Sequence, residues 1–207
     1  MYNSFFITKK MIDERFAILG ALLSFLGIVV YIIDTAKGTT KPNRVTWFLW
    51  SLVPFIGFVA QTKEGVGLGS ALTFVSGFGP FLVLIASLLN KKSYWDLKRF
   101  DLVCGGIALI GVVLWYLTQD ANWAILFSIT ADGFAAMPTV LKSFKNPETE
   151  SYLAYLGGLL GALLTLFTIK EWEFANYSFP LYILLICTTL TILIRFRVGP
   201  KYFIKSS

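Results

Sequence analysis

Apolar residues in this chain gather into long blocks at 16–34, 45–61, 67–89, 102–118, 121–142, 150–170 and 175–195, with short polar segments between them. A helix needs about 20 mostly apolar residues to cross the hydrocarbon core of a bilayer. Each block reaches that length or comes close, so the pattern predicts seven transmembrane helices and an all-α, polytopic membrane protein. The connections are too short to build a water-soluble domain of any size. Lys9 and Lys10 precede the first block as they would in a signal peptide, yet the block is long and no small-x-small cleavage site ends it. Asp13 and Glu14 also stand in the would-be basic region, so the block is read as a retained span.

One junction is used twice. KPNRVTWFLWSL (41–52) lies between the first and second blocks, and NPETESYLAYLG (146–157) between the fifth and sixth. At an offset of 105 positions Lys37 meets Lys142, Pro42 meets Pro147, Thr46 meets Ser151, Trp47 meets Tyr152 and Trp50 meets Tyr155. Four crossings separate the copies, and an even number returns the chain to the same face in the same direction. The repeat is therefore parallel: two three-helix bundles joined by a linker helix, a 3+1+3 plan that occurs among transporters. On this plan residues 1–15 form an outward N-terminal segment and 16–89 the first bundle. Residues 90–118 supply a basic inner loop and the linker, 119–197 the second bundle, and 198–207 a cytoplasmic tail. Helix-start chemistry offers a more local account of the junction: proline suits a first helical turn, Asn146 can cap it, and Glu148 complements the helix dipole.

Composition agrees with the pattern, at 56% hydrophobic and 14% charged residues. Charge then sets the orientation. Lys9, Lys10, Arg15, Lys63 and Lys170 fall on one side of the alternating connections, and the other 13 of the 18 lysines and arginines on the opposite side, which is read as cytoplasmic. The N-terminus then faces outward and the C-terminus inward, as in a plasma (inner) membrane protein. The net charge of +6 reflects this asymmetry and anionic lipid rather than nucleic acid. There is no histidine, and Cys104 and Cys187 lie inside spans as small apolar fillers. Neither a metal site nor a disulfide framework follows, and no cofactor is expected.

The segment MPTVLKSFKNPETESYLAY (137–155) resembles the PQ-loop signature of the SWEET and MtN3-like membrane proteins. It has a proline-polar pair near the inner end of a helix, then apolar residues, a basic residue, an aromatic and a polar loop before the next span. Pro138 and Thr139 occupy the Pro-Gln positions, whereas the first half has Ile33 and Asp34 there. The resemblance implies the seven-helix 3+1+3 plan with an outward N-terminus and a transporter-like fold. It also implies a hinge at Pro138 that lets the bundles rock.

Asp132 is the foremost candidate for chemistry, because a carboxylate in mid-span is costly and usually faces a protein interior or a wet cavity. Ser128, Asp132, Ala135 and Thr139 share one helical face, a polar stripe that ends beside Pro138. Asp132, with Ser128 and Thr139, could bind a hydroxyl or amine of a solute or carry a coupling proton; the alternative is an interhelical hydrogen bond that holds the bundle. Trp47, Trp50, Tyr152 and Tyr155 fit the aromatic belt at the headgroup level. Trp50 and Tyr155, one turn deeper, are the candidates for a gate. Gly157 and Gly161 make a small-xxx-small pair for close helix contact, and Asp101 is placed to cap the fourth helix.

These observations favour a membrane carrier or facilitator of a small polar solute such as a sugar, amino acid or vitamin, working by alternating access. A seven-helix receptor or cargo-binding protein, or a non-transporting membrane partner, is the alternative. An enzyme ranks last, since a lone buried aspartate without histidine lacks an acid/base pair. Small solute and bilayer are the expected partners, and assembly into a homo-oligomer is left open.

Overall fold

The computed structural model describes residues 12–93, 95–118 and 121–205. Of these, 83% are helical and none lies in a strand. The helices are α1 (Phe16–Lys37), α2 (Arg44–Lys63), α3 (Ala71–Leu89), α4 (Arg99–Thr118), α5 (Ala121–Lys145), α6 (Tyr152–Thr168), α7 (Phe174–Arg195) and α8 (Val198–Lys205). Single 3-10 turns precede α3, over Gly67–Ser70, and α6, over Pro147–Thr149. Among the described residues five segments are long and apolar enough to cross a bilayer: α1, α2, Gly67–Leu89, Asn122–Lys145 and α7. That is the signature of an integral membrane protein. Of the seven spans read from the sequence, the sixth is short: α6, at 17 residues, rises only about 25 Å.

Local chemistry sets the helix ends. Gly38 closes α1 at φ 80°, a left-handed conformation that costs glycine little, and its N–H reaches the carbonyls of Asp34 and Thr35. Asn90 donates to the last carbonyls of the same helix, Thr35 at 3.0 Å and Ala36 at 2.8 Å. The Asn43 side chain accepts from the N–H groups of Val45 and Thr46 and starts α2. Asp101 reaches back to the Lys98 N–H at 2.9 Å, the cap expected of it at the start of α4. The second junction departs from expectation. Pro147 opens a 3-10 turn, Glu150 and Ser151 are extended, and Asn146 makes no side-chain cap, so α6 begins only at Tyr152. Replacing the buried Asn43 with alanine should cost about 1 kcal/mol. Thermal unfolding in detergent measures this, and an unchanged midpoint would discount the cap.

α3 packs between α1 and α2, α7 packs between α5 and α6, and the two groups meet through α1 on α6 and α2 on α5. α4 lies mainly on α5. The α1–α6 contact is the closest: a Cβ added at Gly161 would lie 2.3 Å from the Gly20 carbonyl oxygen, and one at Gly157 would lie 2.9 Å from the Gly27 Cα. Backbone meets backbone there, as small-xxx-small pairing predicts.

Connections sort to two ends. At one end the Lys41 N–H donates to Thr149 at 3.0 Å, the 90–93 segment holds the end of α1, and α8 packs on α5 and α7. The lysine-rich segments thus share one end. At the other, Glu14 pairs with Lys170 at 3.1 Å and Gln61 donates to the Ala175 carbonyl. Residues 1–11 of the N-terminal segment, including Lys9 and Lys10, lie outside the described residues, as do 119–120 and 206–207. The segment read as a tail is helical over Val198–Lys205.

Candidate functional site

A cavity of about 70 Å³ lies at the centre of the helices. Its walls come from α1 (Ser24, Ile28), α2 (Trp50, Pro54), α3 (Ser76, Pro80), α5 (Asp132), α6 (Tyr155, Gly158) and α7 (Cys187, Leu190), with none from α4 among the described residues. At about 10–15 Å³ per water-sized occupant, this is room for about five waters.

Asp132 is the carboxyl group in that wall, and it is 3% exposed. The Tyr182 hydroxyl, from α7, donates to its Oδ2. The Trp50 indole N–H, from α2, is buried at the cavity wall and makes no hydrogen bond. A buried donor without a partner is costly and suits an added acceptor. Two prolines add acceptors of their own. Pro54 and Pro80 lie inside continuous helices, and each denies a partner to the carbonyl four residues earlier, Trp50 and Ser76, both at the cavity. Donor and acceptor groups thus converge on a mostly apolar chamber.

Below Trp50 and Tyr155, toward the lysine-rich end, lies a second polar cluster. Lys142 Nζ stands 2.6 Å from Glu150 Oε1, and both side chains are essentially sealed from solvent. Glu150 Oε2 accepts from the Tyr31 hydroxyl at 2.8 Å and from the Tyr155 hydroxyl at 3.0 Å. Lys142 also donates to the Lys41 carbonyl and lies 5.0 Å from the centre of the Trp95 ring. Rings fill the space between cluster and cavity: Tyr31 on Trp47 at 4.5 Å, Trp47 on Trp50 at 5.3 Å and Trp50 on Tyr155 at 6.4 Å.

The residues singled out in the sequence are only partly brought together. The stripe Ser128, Asp132, Ala135 and Thr139 does face the interior, and all four are buried. Only Asp132 borders the cavity. Ser128 instead faces Gly57 of α2, where an added Cβ would touch both Ser128 and Thr73 at 3.7 Å, and Thr139, like Ser128, has a buried hydroxyl without a hydrogen bond. Pro138 is buried in an unbroken α5. The aromatic-belt reading fails for Trp47, Trp50 and Tyr155, which are buried between helices rather than turned to a headgroup layer. Their rings pack on one another because the two junctions meet face to face. Cys187, read as a filler, lines the cavity.

Tyr31, Tyr182, Lys142 and Glu150 were missed as site residues. The sequence reading uses Lys142 as an orientation charge and as the repeat partner of Lys37, not as part of a site. One signal was available: at the repeat offset Glu150 aligns with Val45, so a carboxylate stands where the other copy has an apolar residue. Among the described residues no group of three or more His, Cys, Asp or Glu could hold a metal ion. In comparisons with known proteins, no family model, no curated protein and no solved structure matches this chain.

Proposed function

We propose that this chain is a carrier or facilitator of a small polar solute in the plasma (inner) membrane, with its N-terminus outside and its C-terminus cytoplasmic. The observation that carries the reading is the central cavity, to which six helices contribute and in which Asp132 is buried. The packing order supports a 3+1+3 plan. α1, α3 and α2 form one group, α5, α7 and α6 the other, and α4 packs chiefly on α5, outside both groups, as a linker would. The offset of 105 exchanges the α1–α6 contact with the α2–α5 contact. Gly20 and Gly27, which let α1 touch α6, then correspond to Ile125 and Asp132. One interface is zipped by glycine, while its counterpart carries a carboxyl group at the cavity wall. The likeness of 137–155 to the PQ-loop signature of SWEET proteins accords with this plan.

In this mechanism the two bundles open the cavity alternately to either side. Asp132 and the Trp50 N–H hold the solute, since the first accepts and the second donates. The solute is a sugar, amino acid or vitamin-sized molecule able to do both. A thermal-shift screen of such solutes against purified protein tests this directly. A ligand at about 100 times its Kd should raise the wild-type midpoint by about 5–10 °C. Asp132→Asn, which keeps an acceptor for Tyr182, should lose most of that shift. Flux of the same solute into proteoliposomes should follow it. Binding without flux would favour the receptor reading, and equal shifts in wild type and variant would move the solute away from Asp132.

A further inference from the structure

The buried ion pair belongs to one side of a seam. Lys142, Glu150 and Tyr155 all come from α5, α6 and the segment between them, so the Lys142–Glu150 and Tyr155–Glu150 bonds lie within one helix group. The partners across the seam are the Tyr31 hydroxyl from α1 and the Lys41 carbonyl from the α1–α2 connection, with the Trp95 ring from the α3–α4 connection beside them. The Lys41 N–H to Thr149 bond crosses the same seam.

We propose that the lysine-rich end of the molecule opens along this seam, the Lys142–Glu150 pair moving intact with α5 and α6 and releasing the Tyr31 hydroxyl and the Lys41 carbonyl. The inference rests on the carrier reading, for which it supplies the gate. Three features carry it. First, parting the groups here leaves neither ion without its counter-ion, so the separation escapes the large penalty of an unpaired buried charge. Second, opening admits water to both ions, which relieves part of the desolvation that closure imposes. Closed and open forms are thereby kept near each other in free energy, as a gate requires. Third, the seam lies directly beneath the cavity. Trp50 and Tyr155 line the chamber, and Tyr155 and Tyr31 donate to the same carboxylate oxygen. Tyr31 is thus the positioning residue that ties the first helix group to the gate, and Tyr155 holds Glu150 in place on its own side.

Cys187 in the cavity wall supplies the readout. In a Cys104→Ala background it is the remaining cysteine. Membrane vesicles of both orientations are treated with an impermeant cationic methanethiosulfonate, and the rate of Cys187 labelling is compared among variants. Tyr31→Phe removes a bond across the seam but leaves Glu150 paired with Lys142 and Tyr155. It should raise labelling from the lysine-rich side roughly tenfold, the population shift expected when one hydrogen bond to a charged group is lost. Tyr155→Phe removes an equivalent bond within one group and should change the rate by less than about twofold. A purely structural role for Glu150 would make the two variants alike, and that result overturns the proposal. So does the absence of Cys187 labelling in Tyr31→Phe.

A second measurement guards against misfolding. Tyr31→Phe and Tyr155→Phe each remove one bond to the same Glu150 oxygen, so their melting midpoints should fall by similar amounts while their labelling rates differ; labelling that simply tracks the midpoints overturns the proposal. The gate and the carrier reading fail separately. Raised labelling in a protein that moves no solute leaves the gate standing without the carrier. Solute flux with labelling unchanged in Tyr31→Phe discards the gate alone.

Discussion

A Lys142→Met variant should lose about 3–5 kcal/mol of stability, a large share of the roughly 5–15 kcal/mol that holds a typical domain together. Lys142 and Glu150 are 2.6 Å apart and sealed from solvent. Removing the ammonium leaves a carboxylate with two phenol donors but no counter-ion, in a place where water cannot reach it. The companion variant Lys142→Met/Glu150→Gln should recover most of the loss. It removes the orphaned charge and keeps an oxygen to accept from Tyr31 and Tyr155. Replacing a buried ion pair with neutral groups of similar volume is often close to neutral, whereas breaking one is costly. Denaturant titrations in detergent, followed by tryptophan fluorescence, measure both. Equal losses in the single and double variants would show that packing, not the unpaired charge, sets the cost.

The second large effect is expected at the α1–α6 contact. Gly161→Leu must place a side chain where a Cβ alone would stand 2.3 Å from the Gly20 carbonyl oxygen. No rotamer relieves a collision between a Cβ and a backbone atom, so the helices must separate. Lost packing along the pair should then cost about 3 kcal/mol or more. The control is Gly106→Leu on α4, where an added Cβ meets nothing within 4 Å. That variant should be neutral, or stabilised by up to about 1 kcal/mol from helix propensity. Monodisperse yield and melting midpoint separate the two. Similar behaviour would mean that α1 and α6 do not rely on close approach.

Much of the helical plan was legible in the sequence. Apolar blocks of membrane-spanning length are a local property, since a bilayer imposes its thickness on each segment separately. The glycine pair at 157 and 161 foretold a close helix contact, and Asp101 its own capping role, for the same reason. Boundaries were less legible where the backbone turned unexpectedly. The start of α6 was misplaced because Pro147 begins a 3-10 turn instead of the helix itself.

For the site, the burial of Asp132 followed from its position in an apolar block. Its donor did not, because Tyr182 lies 50 residues away on a different helix. Lys142 and Glu150 were hidden for a sharper reason. Each stands beside a polar junction, where a charge is ordinarily solvated, and nothing in the neighbouring residues says otherwise. The Tyr31–Glu150 bond joins positions 119 apart.

By itself, then, the sequence determined the helical class, the lengths of the apolar segments and an interior place for Asp132. It also determined which connections carry the lysines and arginines. Each depends on residue type and helical period, which act over one or two turns. Tertiary structure alone decided that two similar junctions face each other, that three of their aromatic residues turn inward, and that a lysine and a glutamate become an interior pair. Burial and pairing arise only when distant helices dock, because desolvation depends on what covers a group rather than on its neighbours in the chain.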